Sequence, residues 1–148
     1  MKKFFLILIS FVAMSAFVSC SDKPVTEDKL PKNARTFLDT YFKGIEVFSV
    51  IKEMDGDYDV ELVDGTEIDF LHYGEWKKVD CHGRPIPVGF YPASITTYVA
   101  THYPDAFIDE IQFEHNRYKV GLYMLVDVEL LFDKLIFDSN GNYVGVDD

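Results

Sequence analysis

The stretch IEVFSVIKEMDGDYDVELVDGTEIDF, Ile45–Phe70, decides the fold. Apolar and polar residues alternate along it, with many β-branched and aromatic side chains, and the alternation breaks at Asp55-Gly56-Asp57 and at Asp64-Gly65. Alternation with period two marks a half-buried strand, and Asp-Gly between such runs marks a hairpin. Three strands follow: IEVFSVIKEM, DYDVEL and TEIDF. A turn near Tyr73-Gly74 leads to a fourth, EWKKV, Glu75–Val79. Every connection is too short for a crossover, so the strands pair antiparallel.

A helix precedes this unit. Ala34, Phe37, Leu38, Tyr41 and Phe42 fall at i, i+3, i+4, i+7 and i+8, which gathers them on one stripe. Ile95, Tyr98, Val99, His102 and Tyr103 repeat that spacing 61 residues later. Pro31 and Pro92 introduce the two helices, as suits a first turn.

The strands also recur. DVEL occurs at Asp59–Leu62 and again at Asp127–Leu130, and DFLHYGEWKKVD from Asp69 matches IFDSNGNYVGVD from Ile136. In that match Phe70 meets Phe137, Gly74 meets Gly141, Trp76 meets Tyr143 and Val79 meets Val146, an offset of 67. The reading is an α+β fold: a tandem repeat of a helix and a four-stranded antiparallel sheet, with the helices packed on one sheet face. The growth of the offset places about six extra residues of the second copy within EHNRYKVGLYML, and a longer hairpin between its first two strands accommodates them. YKVGL also imitates YDVEL, which leaves their exact place open.

These residues carry a family resemblance. The proline-led helices, DGDYDVELVDGTEIDF, GEWKKVDC, IPVGFYPASITTYVATHYPDAFIDEI and the terminal VDD resemble the PepSY-like, β-lactamase-inhibitor-like family of bacterial envelope proteins, over residues 30–148. The resemblance implies the tandem α-β4 fold, no established enzyme activity, and protein binding of the inhibitor or propeptide kind. Val126 stands where the family's strand tyrosine is expected in the second copy. The chain divides into a lipoprotein signal peptide (1–19), a tether (20–30), a first repeat (31–83), a linker (84–91) and a second repeat (92–148).

The signal reading rests on MKKFFLILISFVAMSAFVSC. Lys2 and Lys3 precede an apolar run, Phe4–Val18, long enough for a signal core but short for a spanning helix. The run ends in FVSC, which resembles the lipobox of bacterial lipoproteins, with Phe17 where leucine is usual. Cys20 is then the lipid attachment residue. The expected location is the envelope of a Gram-negative bacterium, lipid-anchored in the periplasm or at the outer membrane, with no other membrane contact.

The 148 residues are 48% hydrophobic and 16% aromatic, as in a globular chain, and carry a formal charge of −11. Loss of residues 1–19 removes two lysines and leaves 12 basic against 25 acidic residues, or −13. Such a surface repels nucleic acid and anionic lipid and favours a basic partner.

Chemistry-bearing residues are few. Cys81-His82 has no paired ligand spacing with His72, His102 or His115, so no zinc site is expected. His102 reads as a half-buried histidine on the helix stripe. Cys81 lacks an electropositive setting, and His82, its neighbour in an extended segment, points to the opposite face. No nucleophile elbow, phosphate loop or metalloprotease motif occurs. Neither a catalytic set nor a cofactor is expected. Asp55–Asp59 imitates the start of a calcium loop, but Val60 and Thr66 occupy the positions of its glycine and glutamate. Exposed aromatics are the remaining candidates for binding a protein or peptide: Tyr58, Tyr73, Trp76, Tyr118, Tyr123 and Tyr143, on a sheet face left open by the helices. The alternative reading is a periplasmic sensor or solute-binding module for a small cationic ligand or metal.

Overall fold

The computed structural model of the protein describes residues 22–124 and 134–147. Among the described residues, two α-helices, α1 (Lys32–Tyr41) and α2 (Ala93–His102), and a single 3-10 turn at Glu27–Lys29 accompany nine strands. These are β1 (Lys23–Pro24), β2 (Val47–Lys52), β3 (Tyr58–Leu62), β4 (Glu67–Phe70), β5 (Trp76–Asp80), β6 (Ala106–Glu114), β7 (Arg117–Met124), β8 (Leu135–Asp138) and β9 (Tyr143–Val146). The strands form one open antiparallel sheet in chain order, β1 to β9. Where the sequence led us to expect a four-stranded sheet after each helix, β5 pairs directly with β6, so a single sheet runs through both halves. Among the described residues, no helix is long and apolar enough to cross a membrane.

Both helices lie on one face, because their stripes join one core. Ala34, Phe37 and Leu38 of α1 and Ile95 and Val99 of α2 share a single buried cluster with Val50, Val60, Leu62, Ile68 and Phe70 of β2–β4 and Ile108, Ile111, Val120, Leu122 and Phe137 of β6–β8. Phe70 and Phe137 are fully buried, and burial of such a ring contributes about 1.5–3 kcal/mol. Phe37 meets Phe70 edge-on at 5.6 Å, and Tyr98 meets Phe137 edge-on at 5.3 Å. Gly74 (φ +95°) and Gly141 (φ +80°) sit beneath the helix starts, so close that a Cβ on Gly74 would lie 2.7 Å from Pro31 and one on Gly141 2.6 Å from Pro92.

The β6–β7 hairpin turns through His115 and Asn116 alone, both at positive φ (50° and 62°), the conformation that a tight hairpin favours. Strands β6 and β7 are longer than β2 and β3, but their loop is not lengthened. The added chain lies further on. Seven residues separate Val60 from its partner Ile68, whereas fourteen separate Val120 from Leu135. β8 has β7 on one side and β9 on the other, so YKVGL, Tyr118–Leu122, takes the place beside it. Tyr118 opposes Phe137 as Tyr58 opposes Phe70. Asp127–Leu130 and Val126 lie outside the described residues, as do Cys20 and the rest of the signal segment.

The connection from β5 to α2 is fastened down rather than loose. The Cys81 N–H donates to Asp109 O at 2.8 Å, the Ile86 N–H donates to Ile108 O at 3.0 Å, and Ile86 and Tyr91 are buried.

Candidate functional site on the open face

Strand alternation fixes what each face carries. Tyr58, Val60 and Leu62 turn inward on β3, which sends Asp59 and Glu61 outward; Ile68 and Phe70 turn inward on β4, which sends Glu67 and Asp69 outward. The register then sets Asp59 opposite Asp69 and Glu61 opposite Glu67. Like charges directly opposite each other destabilise a sheet. These four acids line a shallow depression of about 250 Å³ with Ser49 and Ile51. Burial, and then the Asp69 charge, push the Asp59 carboxyl above its ordinary range. Burial does the same to Asp69, against the pull of Lys78 and Lys77. Lys78 is opposite Asp69, but its Nζ lies 3.5 Å from both Asp80 and Glu110. Across β7–β9 the same face carries Arg117 and Lys119, the latter paired with Asp147 at 2.9 Å.

The aromatic candidates do not form one surface. Tyr58 is buried, with Lys52 Nζ 5.3 Å from its ring. Trp76 and Tyr118 stack at 6.4 Å within the helix-side layer, where Trp76 also meets Phe90 at 5.0 Å. Tyr143 stacks on Tyr98 of α2 at 4.6 Å. Tyr73 is exposed, but sits in the β4–β5 turn beside His72. Tyr123 alone stands on a strand's open side, stacked on Phe107 at 5.4 Å. The reason is phase: Tyr58 and Tyr118 share the parity of the buried valines two residues on, and the helices need aromatic partners.

Cys81 and His82 part company, but not as neighbours in extended chain: β5 ends at Asp80 and His82 turns left-handed (φ +47°). Cys81 is buried, 3.9 Å from the Thr66 hydroxyl, and burial pushes its thiol up. The His82 ring lies outside, 3.3 Å from Glu67 and 3.3 Å from Asp80. His102 is exposed rather than half-buried; it stacks on Tyr98 at 4.1 Å, with Nδ1 2.9 Å from Tyr98 O.

In the β2–β3 turn, Glu53 joins Asp55 and Asp57: one carboxylate oxygen of each lies within 4.8 Å of the others. Glu53 stands before the calcium-like motif and was not singled out by it. Asp57 is buried, accepts the His72 N–H at 2.8 Å and lies 3.5 Å from Lys77 Nζ. Burial, then Asp59 and Asp55, raise the Glu53 carboxyl.

The geometry defines an α+β module with one covered and one open, acidic sheet face. A family model described as "Putative beta-lactamase-inhibitor-like, PepSY-like" matches residues 56–144, and the chain belongs to that family. Three solved structures share the fold. One, from Bacteroides thetaiotaomicron, is described as a "putative calcium-regulated periplasmic protein"; it is 31% identical with a TM-score of 0.75, over 86% of this chain and 97% of that one. A periplasmic protein from Bacteroides vulgatus, also "putative", is 32% identical with a TM-score of 0.73 over the same shares, 86% and 97%. A second from that organism, of unknown function, is 26% identical with a TM-score of 0.76, over 86% of this chain and all of its own. No curated protein matches.

Proposed function

We propose that this chain is a non-enzymatic envelope lipoprotein, anchored through Cys20, whose open sheet face binds a basic segment of a protein or peptide. The observation that carries the reading is the facing of Asp59 with Asp69 and Glu61 with Glu67 on β3 and β4. A sheet that sets like charges opposite each other gains when a cationic partner lies across them. The binding surface is therefore acidic, with Tyr123 as its aromatic margin. A non-enzymatic role is favoured by Cys81, whose buried, raised thiol is a poor nucleophile. The periplasmic descriptions of the similar structures support an envelope location.

The same reading includes a tandem repeat. Its support is the paired detail of the two halves: Phe37 on Phe70 and Tyr98 on Phe137, Gly74 under Pro31 and Gly141 under Pro92. The test of binding is capture from envelope extracts with the parent chain and with a variant carrying D59N, E61Q, E67Q and D69N. A basic protein held by the parent and lost by the variant is expected. Equal capture by both removes the acidic face from the account.

A second reading is favoured by one cluster. Glu53, Asp55 and Asp57 converge as hard-cation ligands do, and one similar structure is described as calcium-regulated. Under this reading calcium raises the melting temperature of the parent but not of Asp55→Asn, with Lys77 displaced from Asp57. No calcium-dependent rise in the parent would dismiss it.

A further inference from the structure

We propose that the outer edge of β9 is a strand-addition site for the β2 edge of a second copy of this chain, and that Lys23–Val25 is the cap that keeps the β2 edge closed. The inference rests on the tandem reading above. Inside the chain the halves join where β5 meets β6: Lys78 opposite Gln112, Val79 opposite Ile111, Asp80 opposite Glu110. The repeat offsets carry the β5 residues to Gly145, Val146 and Asp147, and the β6 residues back to Ile51, Val50 and Ser49. One set lies at the β9 end of the sheet and the other on β2, the last full-length strand at the opposite end.

The β2 edge already holds a short piece of chain that imitates β5. Lys23 opposes Lys52, Pro24 opposes Ile51, and the Val25 N–H donates to Val50 O at 2.9 Å. Val25 thus stands beside Val50 as Val79 stands beside Ile111, and its side chain packs against the core. The cap is weak by construction. Its strand, β1, is only two residues long, Pro24 has no N–H to give, and two lysines face each other.

The β9 edge has no such cap among the described residues. The Asp147 N–H donates inward to Lys134 O at 2.8 Å, so alternation turns the N–H and C=O of Val146 outward. Val144 and Val146 are 54% and 45% exposed, and β9 has neither the lysine nor the proline that guards natural edges. Copying the internal junction sets Val146 against Val50, Gly145 against Ile51 and Asp147 against Ser49, with no like charges opposed. The contact is heterologous, so it extends head to tail.

The test is sedimentation velocity on the full chain in detergent over a concentration series. The parent is expected to be monomeric. Val25→Asp and the milder Val25→Gly, which loosen the cap, are expected to tighten self-association at least about tenfold, a change of about 1.4 kcal/mol. Adding Val146→Pro, which removes an outward donor, returns either variant to monomer. Circular dichroism confirms that each variant is folded, and the Gly variant serves where the Asp variant is not. Folded cap variants that stay monomeric overturn the proposal. So does association that survives Val146→Pro, or a parent that dimerises through Val146 with the cap intact. Failure here leaves the face-binding reading standing, because that reading is tested on β3 and β4 by capture, not by self-association.

Discussion

At Gly74 two demands meet. Its backbone is left-handed, and Pro31 and Ala34 leave no room for a side chain. Gly44 has the same left-handed backbone (φ +84°) but open space around it. Gly44→Ala therefore carries the conformational cost alone, about 1–2 kcal/mol. Gly74→Ala adds overpacking of about 1–3 kcal/mol, so urea unfolding is expected to rank it clearly the more damaging. Equal losses would mean that the helix start yields freely. Cys81 gives a second test at this scale. Buried and held as a thiol, it is expected to resist alkylation in native buffer and to react on unfolding; rapid native labelling would contradict its placement.

Among the elements, β3 and β4 carry the most consequence. Unfolded, Asp69 titrates in the ordinary carboxylate range; folded, it titrates higher. The folded chain then binds more protons within that window, and the contribution of Asp69 to stability falls as pH rises through it. Asp69→Asn removes the fall. A gain of about 0.2–1 kcal/mol at neutral pH is expected, vanishing below the ordinary carboxylate range. A loss at neutral pH would show that the Lys78 attraction outweighs the burial of the charge. The helices and most strands were legible because their periods are strong: Ala34 to Phe42 keeps one helical stripe, and Tyr58, Val60 and Leu62 keep one strand face. The acidic strip was hidden in the same pattern. Its residues alternate with the core residues, but their facing across β3 and β4 depends on register, which a single strand does not state. The aromatics misled because Trp76 and Tyr118 carry polar atoms yet fill the layer between sheet and helices. The added residues before β8 escaped because YKVGL and DVEL both fit the strand pattern.

As a whole, the molecule is a sheet sealed by two helices on one side and presenting carboxylates on the other. The hydrophobic layer explains the fold, and the acidic strip opposite it is the surface for which we propose a basic partner. The most direct measurement is amide chemical-shift mapping of a lysine-rich extended peptide titrated onto the chain. The account predicts shifts concentrated on Asp59, Glu61, Glu67 and Asp69, an affinity that weakens as salt rises, and loss of binding when those four acids are neutralised together. Shifts scattered over the whole acidic surface, or binding unchanged by that neutralisation, would contradict it.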